Sequence, residues 1–350
     1  MRFGNFLFPA ARDPDDDARV IDETLMEAEL CDELGMDMLW LAEHHFDGIC
    51  AYVDPVSFAA ALATRTHRIR IGFAVAQMSL HHPVRMAEQM SLIDNLSKGR
   101  LVVGLGRGTA YNIYDYQGYG LDPEEAQARL IESEGIMLKA WTTDNFVHEG
   151  QFWQLRIPML RPRPYTKPHP FVIRACSGEA SMLEQAREGR PFLMNVQTNE
   201  ETARRLERYC DTVRDSGFPE STVEECMAES WVWRNVFVAE TNEEAERLAK
   251  PAFDEQIAFR HEMRDRIYRE QGVRMKSESS VPARAQAGHA VLCGDPERVT
   301  EAIREVDALG VGGMILQFRL GPMSYDTAQR SIRLFMSEVA PHFSPNAGPQ

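Results

Sequence analysis

The sequence predicts an α/β protein, a (β/α)₈ TIM barrel with insertions. Two observations carry that expectation. Short β-branched or aromatic runs alternate with longer stretches of helical period, the pattern of repeated βα units around a parallel sheet. The repeat recurs eight times along 350 residues, with capping signals at several helix starts, which favours a closed barrel over an open doubly wound sheet.

Each element has a local reason. Residues 2–7 form an apolar first strand, and Gly4, Asn5 and Pro9 with the acidic stretch at 13–17 speak against a signal peptide. A helix over 18–34 leads to a strand over 38–42, and Asp54 before Pro55 opens a helix over 55–64. Strands at 69–75 and 101–106 flank a helix at 83–96, and a helix at 124–141 follows. Strands at 170–174 and 191–195 bracket a helix at 179–188, and Asn199 with Glu200 behind it opens a helix over 200–216. The seventh strand, 231–239, precedes a helix over 243–262, and Asp295 before Pro296 starts one over 296–309 ahead of the eighth strand, 313–318. A closing helix starts at Tyr325, with Ser324 as N-cap, and runs to Val339.

Two segments stand outside the repeat. Residues 146–165 read as a hairpin insertion, 147–149 and 152–155 around Gly150 and Gln151, followed by a Pro-rich linker. Residues 264–288 are polar, charged and weakly periodic, too long for an ordinary connector, and are expected to form a mobile lid. One barrel domain over 1–345 and a C-terminal tail at 346–350 are expected.

Composition narrows the function. A hydrophobic share of 44% and a charged share of 26% allow a sizeable core without metal or disulfide staples. A net charge of −15, with no run of Lys and Arg, argues against nucleic acid and against anionic membrane surfaces. No apolar stretch approaches the roughly 20 residues of a membrane helix, so a cytoplasmic location is expected. Cys31, Cys50, Cys176, Cys210, Cys226 and Cys293 show neither a C-x-x-C pair nor metal-ligand spacing, and are expected to be free thiols.

Active sites of such barrels gather where the strands end. Glu43, His44 and His45 follow the second strand, Gln77, His81 and His82 the third, Arg107 and Asn112 the fourth, and Ser177 and Gly178 the fifth. Adjacent histidines on extended backbone point to opposite sides, so no metal site is expected of His44 and His45. One of the pair facing the mouth is a candidate general base, beside the alternative of a hydrogen-bonded structural histidine. Residues 104–108, Gly-Leu-Gly-Arg-Gly, allow close backbone approach and offer an arginine to a phosphate, or simply make a tight barrel turn. Ser177-Gly178-Glu179, opening a helix that carries Ser181, is a second anion-binding candidate or a plain N-cap.

Taken together these pieces resemble the bacterial luciferase family of flavin-dependent monooxygenases. The match runs through Met1-Arg2-Phe3-Gly4-Asn5-Phe6, Leu39-Trp40-Leu41-Ala42-Glu43-His44-His45-Phe46, His82-Pro83-Val84-Arg85 and Ser97-Lys98-Gly99-Arg100. It continues through 104–108, 129–132, Gly189-Arg190-Pro191 and Gly294-Asp295-Pro296, covering nearly the whole chain. The resemblance implies a luciferase-like barrel that takes FMNH2 from a separate flavin reductase and oxygenates a small or carrier-bound organic substrate through a flavin 4a-hydroperoxide. It implies that His44 is the catalytic histidine, with His45 as its neighbour in the catalytic pair. It further implies that Arg107, Arg129, Ser177, Gly178 and Ser181 hold the flavin phosphate, and that Ala74 and Val75 carry the ring on a turn that often holds a cis non-prolyl bond. His82, Tyr111 and Asn195 are expected in the substrate pocket, and a homodimer is expected. Gly106 stands where luciferases carry a reactive cysteine, and there is an extra residue around Ala110 and Tyr111, which argues against light emission and a long-chain aldehyde. Two other readings remain at this stage: a deazaflavin-dependent oxidoreductase of the same fold, and a non-catalytic flavin-binding paralogue.

Overall fold

The structure, a computed structural model, describes residues 1–108, 112–272 and 290–343. The ring strands are β1 (Arg2–Leu7), β2 (Met38–Leu41), β3 (Arg70–Phe73), β4 (Leu101–Gly106), β5 (Phe171–Cys176), β6 (Phe192–Met194), β7 (Trp231–Val238) and β8 (Gly313–Gln317). Each pairs in parallel with the next, and β8 returns to β1 from Arg2↔Gly313 to Asn5↔Leu316, which closes the (β/α)₈ barrel. Around the ring lie α1 (Asp17–Glu33), α2 (Pro55–Arg65), α3 (Pro83–Ser97), α4 (Ile113–Gly118), α5 (Ala126–Thr142) and α6 (Glu179–Arg187). The second half adds α7 (Asn199–Asp215), α8 (Glu220–Glu229), α9 (Asn242–Gln271), α10 (Pro296–Asp307) and α11 (Tyr325–Leu334).

The alternation of side chains along each strand sorts the core into two layers. Phe6, Met38, Trp40, Val102, Trp231 and Ile315 meet inside the ring. Their neighbours in sequence, such as Leu7, Leu39, Leu41 and Val103, face the helices. Trp40 and Trp231 plug the barrel edge to face, with ring centroids 5.3 Å apart. They fit because Gly4, Gly72 and Gly313 leave room: a Cβ on any of these would come within 2.7, 2.6 and 2.3 Å of an indole.

Local chemistry sets the helix starts. Asp54 accepts from the Val56 and Ser57 amides, Asp295 from Arg298 and Ser324 from Thr327, all at the expected N-caps. At α7 the cap is Thr198, which accepts from the Glu201 amide, so Asn199 is the first helical residue and not the cap. The closing helix is α-helical to Leu334 and continues as a π turn over Phe335–Val339.

Four segments differ from expectation. β3 stops at Phe73, the Ala74–Val75 peptide is cis, and Ala76–Gln77 resumes as a short strand against Leu105 and Gly106 of β4. The hairpin pairs Phe146–Glu149 with Gln154–Ile157, two residues later than expected on its second side. The cause is Glu132, whose carboxylate accepts from the amides of Gln151, Phe152 and Trp153 and holds those residues as a turn. α9 runs past the expected end at Glu262 to Gln271, so Arg264 and the residues up to Gln271 are helical; the rest of the expected lid, 273–288, lies outside the described residues. An additional strand, Val291–Gly294, pairs with the upper half of β7 outside the ring. Among the described residues no helix is long and apolar enough to cross a membrane, and all six cysteines are unpaired.

The packing at the β3–β4 seam yields a test. A Cβ on Gly104 would lie 1.6 Å from the Phe73 carbonyl oxygen, which is backbone and cannot swing away, whereas Gly135 on α5 meets nothing within 4 Å. Gly104→Ala should therefore cost about 3 kcal/mol or more, and Gly135→Ala should stabilise by about 0.5–1 kcal/mol. Urea unfolding midpoints of the two variants check this, and a neutral Gly104→Ala would show the seam to be looser than described.

Candidate active site

Cavities open at the C-terminal ends of the strands, where the sequence placed its candidates. The larger, about 560 Å³, is lined by Ala74, Val75, Arg107, Ser177, Gly178, Ser181 and Asn195, together with Gly106, Gly108 and Trp233. Ala74–Val75 forms one wall by its cis peptide, and Gly106 lets it sit there, since a Cβ at 106 would come within 2.5 Å of Val75 Cγ2. At the far end, Gly178 caps α6 without any side-chain hydrogen bond to the first turn, and Gly178, Ala180 and Ser181 line the cavity there. The Arg107 side chain is exposed and makes no hydrogen bond or ion pair among the described residues.

A second, smaller chamber of about 90 Å³ lies on the other side of Trp233, which lines both. Phe6, Phe8, Ile49 and Phe259 make most of it apolar, and His44, Asp47, Gln256, Arg260 and Gln317 give it polar edges. His44 lies edge-on to Phe8 at 5.2 Å, with Nδ1 3.5 Å from Asp47 Oδ2 and a side chain 29% exposed. Its neighbour points the other way, as extended backbone requires: His45 is buried in the wall, where Nε2 donates to Glu43 Oε1 at 2.9 Å and Nδ1 accepts from the Tyr119 hydroxyl at 3.3 Å.

Glu43 is the centre of that wall. Oε1 also accepts from His81 Nε2 at 2.6 Å, Oε2 accepts from the Gln77 amide, and the Glu43 carbonyl accepts from Gln77 Nε2 at 3.0 Å. Gln77 Nε2 donates in addition to Asp115 Oδ2 at 2.7 Å, to which Asn112 also donates. Burial by itself would push the Glu43 carboxyl up, but hydrogen bonds from His45, His81 and the Gln77 amide outweigh it and hold the group at about 2. His81 moves the opposite way: burial disfavours its charge, yet the bond to Glu43 raises it above the ordinary histidine value. Burial pushes the Asp115 carboxyl up.

Four expectations are corrected or left open by this arrangement. Arg129 does not reach the larger cavity; it pairs with Glu125 at 2.7 Å and stacks on Phe152 at 4.3 Å, because the hairpin turn comes to lie against α5. His82 does not line the chamber; it is the exposed residue ahead of α3 and rests against Trp153 of the same hairpin at 4.6 Å. Asn195 lies in the larger cavity and donates to the Ser177 carbonyl at 3.2 Å, and Tyr111 lies outside the described residues. Two participants went unassigned in the sequence. Trp233 was visible by parity, because it shares the inward phase of Trp231 two residues earlier, whereas Asp115 carried no local signal.

Comparison with known proteins shows the family. The sequence pattern of the luciferase-like monooxygenases matches residues 1–312. Limonene 1,2-monooxygenase of Rhodococcus erythropolis is 27% identical over 351 aligned residues, covering 99% of this chain and 88% of that protein. The oxygenase component of the flavin-dependent trigonelline monooxygenase of Acinetobacter baylyi is 23% identical over 98% of this chain and 96% of its own. Among solved structures, the monooxygenase RslO1 of Streptomyces bottropensis superposes with a TM-score of 0.83 at 27% identity, covering 98% of this chain and 100% of that one.

The buried carboxylate predicts a pH dependence. Glu43 is held at about 2, below the ordinary carboxylate value of 4.5, so its contribution to stability is present above pH 4.5 and is lost as pH falls towards 2. His81 has the opposite sign, its contribution being full below pH 6.5 and lost as pH rises through its raised value. Glu43→Gln should cost about 3 kcal/mol at neutral pH, roughly 4 °C in melting temperature for a chain of this length, and should flatten the acid limb of the profile. Melting curves from pH 2 to 8 on both proteins check it; parallel profiles would show that Glu43 is not the titrating group.

Proposed function

The chain belongs to the luciferase-like monooxygenase family, and from that premise we propose that it is the oxygenase of a two-component system. In this reading it binds FMNH2 supplied by a separate reductase and uses O2 to oxygenate a small organic substrate. The observation that carries the reading is the pair of compartments meeting at Trp233, one with an anion-binding end and the other holding His44. The larger cavity suits FMN: the uncapped N-terminus of α6, Ser177, Ser181 and Arg107 supply donors for a terminal phosphate, and Ala74–Val75 offers a shelf for a flat ring. When bound, reduced flavin supplies the electrons that let O2 react with an organic substrate.

The chain's own residues account for the rest. Phe6, Phe8, Trp233 and Phe259 keep water from the reacting centre. Asp47 stands beside Nδ1 of His44, which leaves Nε2 to exchange a proton with the group bound in the chamber. Glu43 holds His45 in the wall and so aims His44 the opposite way. A separate reductase is supported by the absence of a nicotinamide fingerprint from the sequence, and by the name of the trigonelline relative as an oxygenase component.

The direct test supplies photoreduced FMN to the purified chain and follows oxygen uptake beside NADH consumption. Protein-bound FMNH2 should react with O2 while NADH alone is left untouched; rapid NADH oxidation by the isolated chain would overturn the two-component reading. Two substitutions separate binding from chemistry. Arg107→Ala should weaken FMN by about one to two decades, the loss of a charge-assisted hydrogen bond of roughly 1.5–3 kcal/mol. His44→Ala should keep FMN affinity within about twofold and lower oxygenation turnover about 10²-fold, with partial recovery on adding imidazole. Near-normal turnover of His44→Ala would remove the histidine from the reaction.

A further inference from the structure

Beyond Phe259 the chamber abuts another cavity, of about 440 Å³, and Asp47, Ile49 and Phe259 line both. The three cavities therefore stand in a row, the larger one, the chamber and this outer vestibule, separated by Trp233 and then by Phe259. Along the row α9 presents Gln256, Phe259 and Arg260 to the chamber, then Arg266 and Arg269 to the vestibule, at the three- and four-residue spacing of one helix face.

Size and charge point to one kind of ligand. The chamber's 90 Å³ is less than the roughly 150 Å³ of an apolar protein cavity that accepts benzene, so any molecule larger than that has to extend beyond it, and the vestibule adjoins it. There Arg12, Arg266 and Arg269 stand against Asp47 and Glu262 among the lining residues, three guanidinium groups to two carboxylates in a chain of net charge −15, and Arg260 lines the chamber on the near side of Phe259. Two of these guanidinium groups are held flat by aromatic rings, Arg12 over Phe259 at 3.7 Å and Arg266 over Tyr114 at 4.8 Å. Stacking fixes the plane of the fork and leaves its N–H edge to meet an anion. Their existing pairs are solvent-exposed, Arg12 at 3.6 and 3.7 Å from Glu255 and Glu262 and Arg266 at 3.2 Å from Glu270, and such pairs exchange readily for a ligand.

We propose that the substrate is an amphipathic anion, with its apolar reacting end in the His44 chamber and a carboxylate or phosphate held in the vestibule by Arg266 and Arg269, with Arg260 at the passage between the two. This rests on the reading of the chamber as the place of oxygenation. The test is a binding measurement, independent of flavin chemistry. Decanoate, decyl phosphate, 1-decanol and decanamide are titrated by calorimetry into the full chain saturated with FMN, with the FMN titration itself reporting separately on the cofactor reading.

At least one anion should bind about tenfold or more tightly than the two neutral probes, and the preference should shrink as salt is raised. It should fall to about twofold or less in the triple variant Arg260→Ala, Arg266→Ala, Arg269→Ala. Tighter decanoate assigns a free carboxylic acid, and tighter decyl phosphate assigns a phosphate-bearing carrier. Equal binding of anions and neutral probes, no binding of either anion, or a preference that survives the triple variant would overturn the proposal. Arg266→Gln with Arg269→Gln, both exposed, keeps the test usable should the triple variant not fold.

Discussion

The Glu43 side chain is 1% exposed, and a charge so far from water persists only where donors replace the water. Three do so: the imidazole of His45, which follows β2, and the Gln77 amide and the His81 imidazole, which both follow β3. The bonds tie the turn after β2 to the turn after β3, and Gln77 passes the tie on to Asp115 and α4 after β4. Much of the site's geometry follows from this one group. His45 is held inward, so His44, next along extended backbone, faces the chamber. Gln77 is pinned by both its backbone and its side chain, which fixes the short strand that follows the Ala74–Val75 peptide and with it one wall of the larger cavity.

The barrel supplies the frame that brings those loops together. Its lower interior is closed by Trp40 and Trp231, for which glycines on neighbouring strands make space. Trp233 lies one inward position higher on the same strand, packed against Phe6 at 4.3 Å, and becomes the partition between cavities. The site is thus a continuation of the core, with one more aromatic layer turned into a dividing wall. The polarity changes in order along the row: the donors of Arg107 and the α6 N-terminus, then an apolar chamber with His44, then the arginines on α9.

Much of this was legible in the sequence, and the reasons are local. Strand and helix periods located the eight ring strands to within about two residues at most ends, since a buried strand cannot hide its alternation nor a helix its stripe. Asp54, Asp295 and Ser324 announced the helices they cap. The failures were local rules overruled from a distance. Residues 152 and 153 looked like strand until Glu132, far back on α5, drew their amides into a turn. That same turn then took Arg129 as a stacking partner through Phe152 and His82 through Trp153, removing both from the site they were expected to join.

The sequence by itself determined the barrel, the elements that build it, the family and the opposite facing of His44 and His45, because periodicity, capping and side-chain alternation act within a few residues. Only the tertiary structure decided which of the loop residues share a cavity. Asp115 joins Gln77 across 38 positions of sequence, and Trp233 meets Phe6 only because the ring closes. The arginines of α9 reach the mouth because that helix extends past its expected end and lies across it. These are contacts between elements brought together by barrel closure and helix packing, and no short window of sequence contains both sides of them.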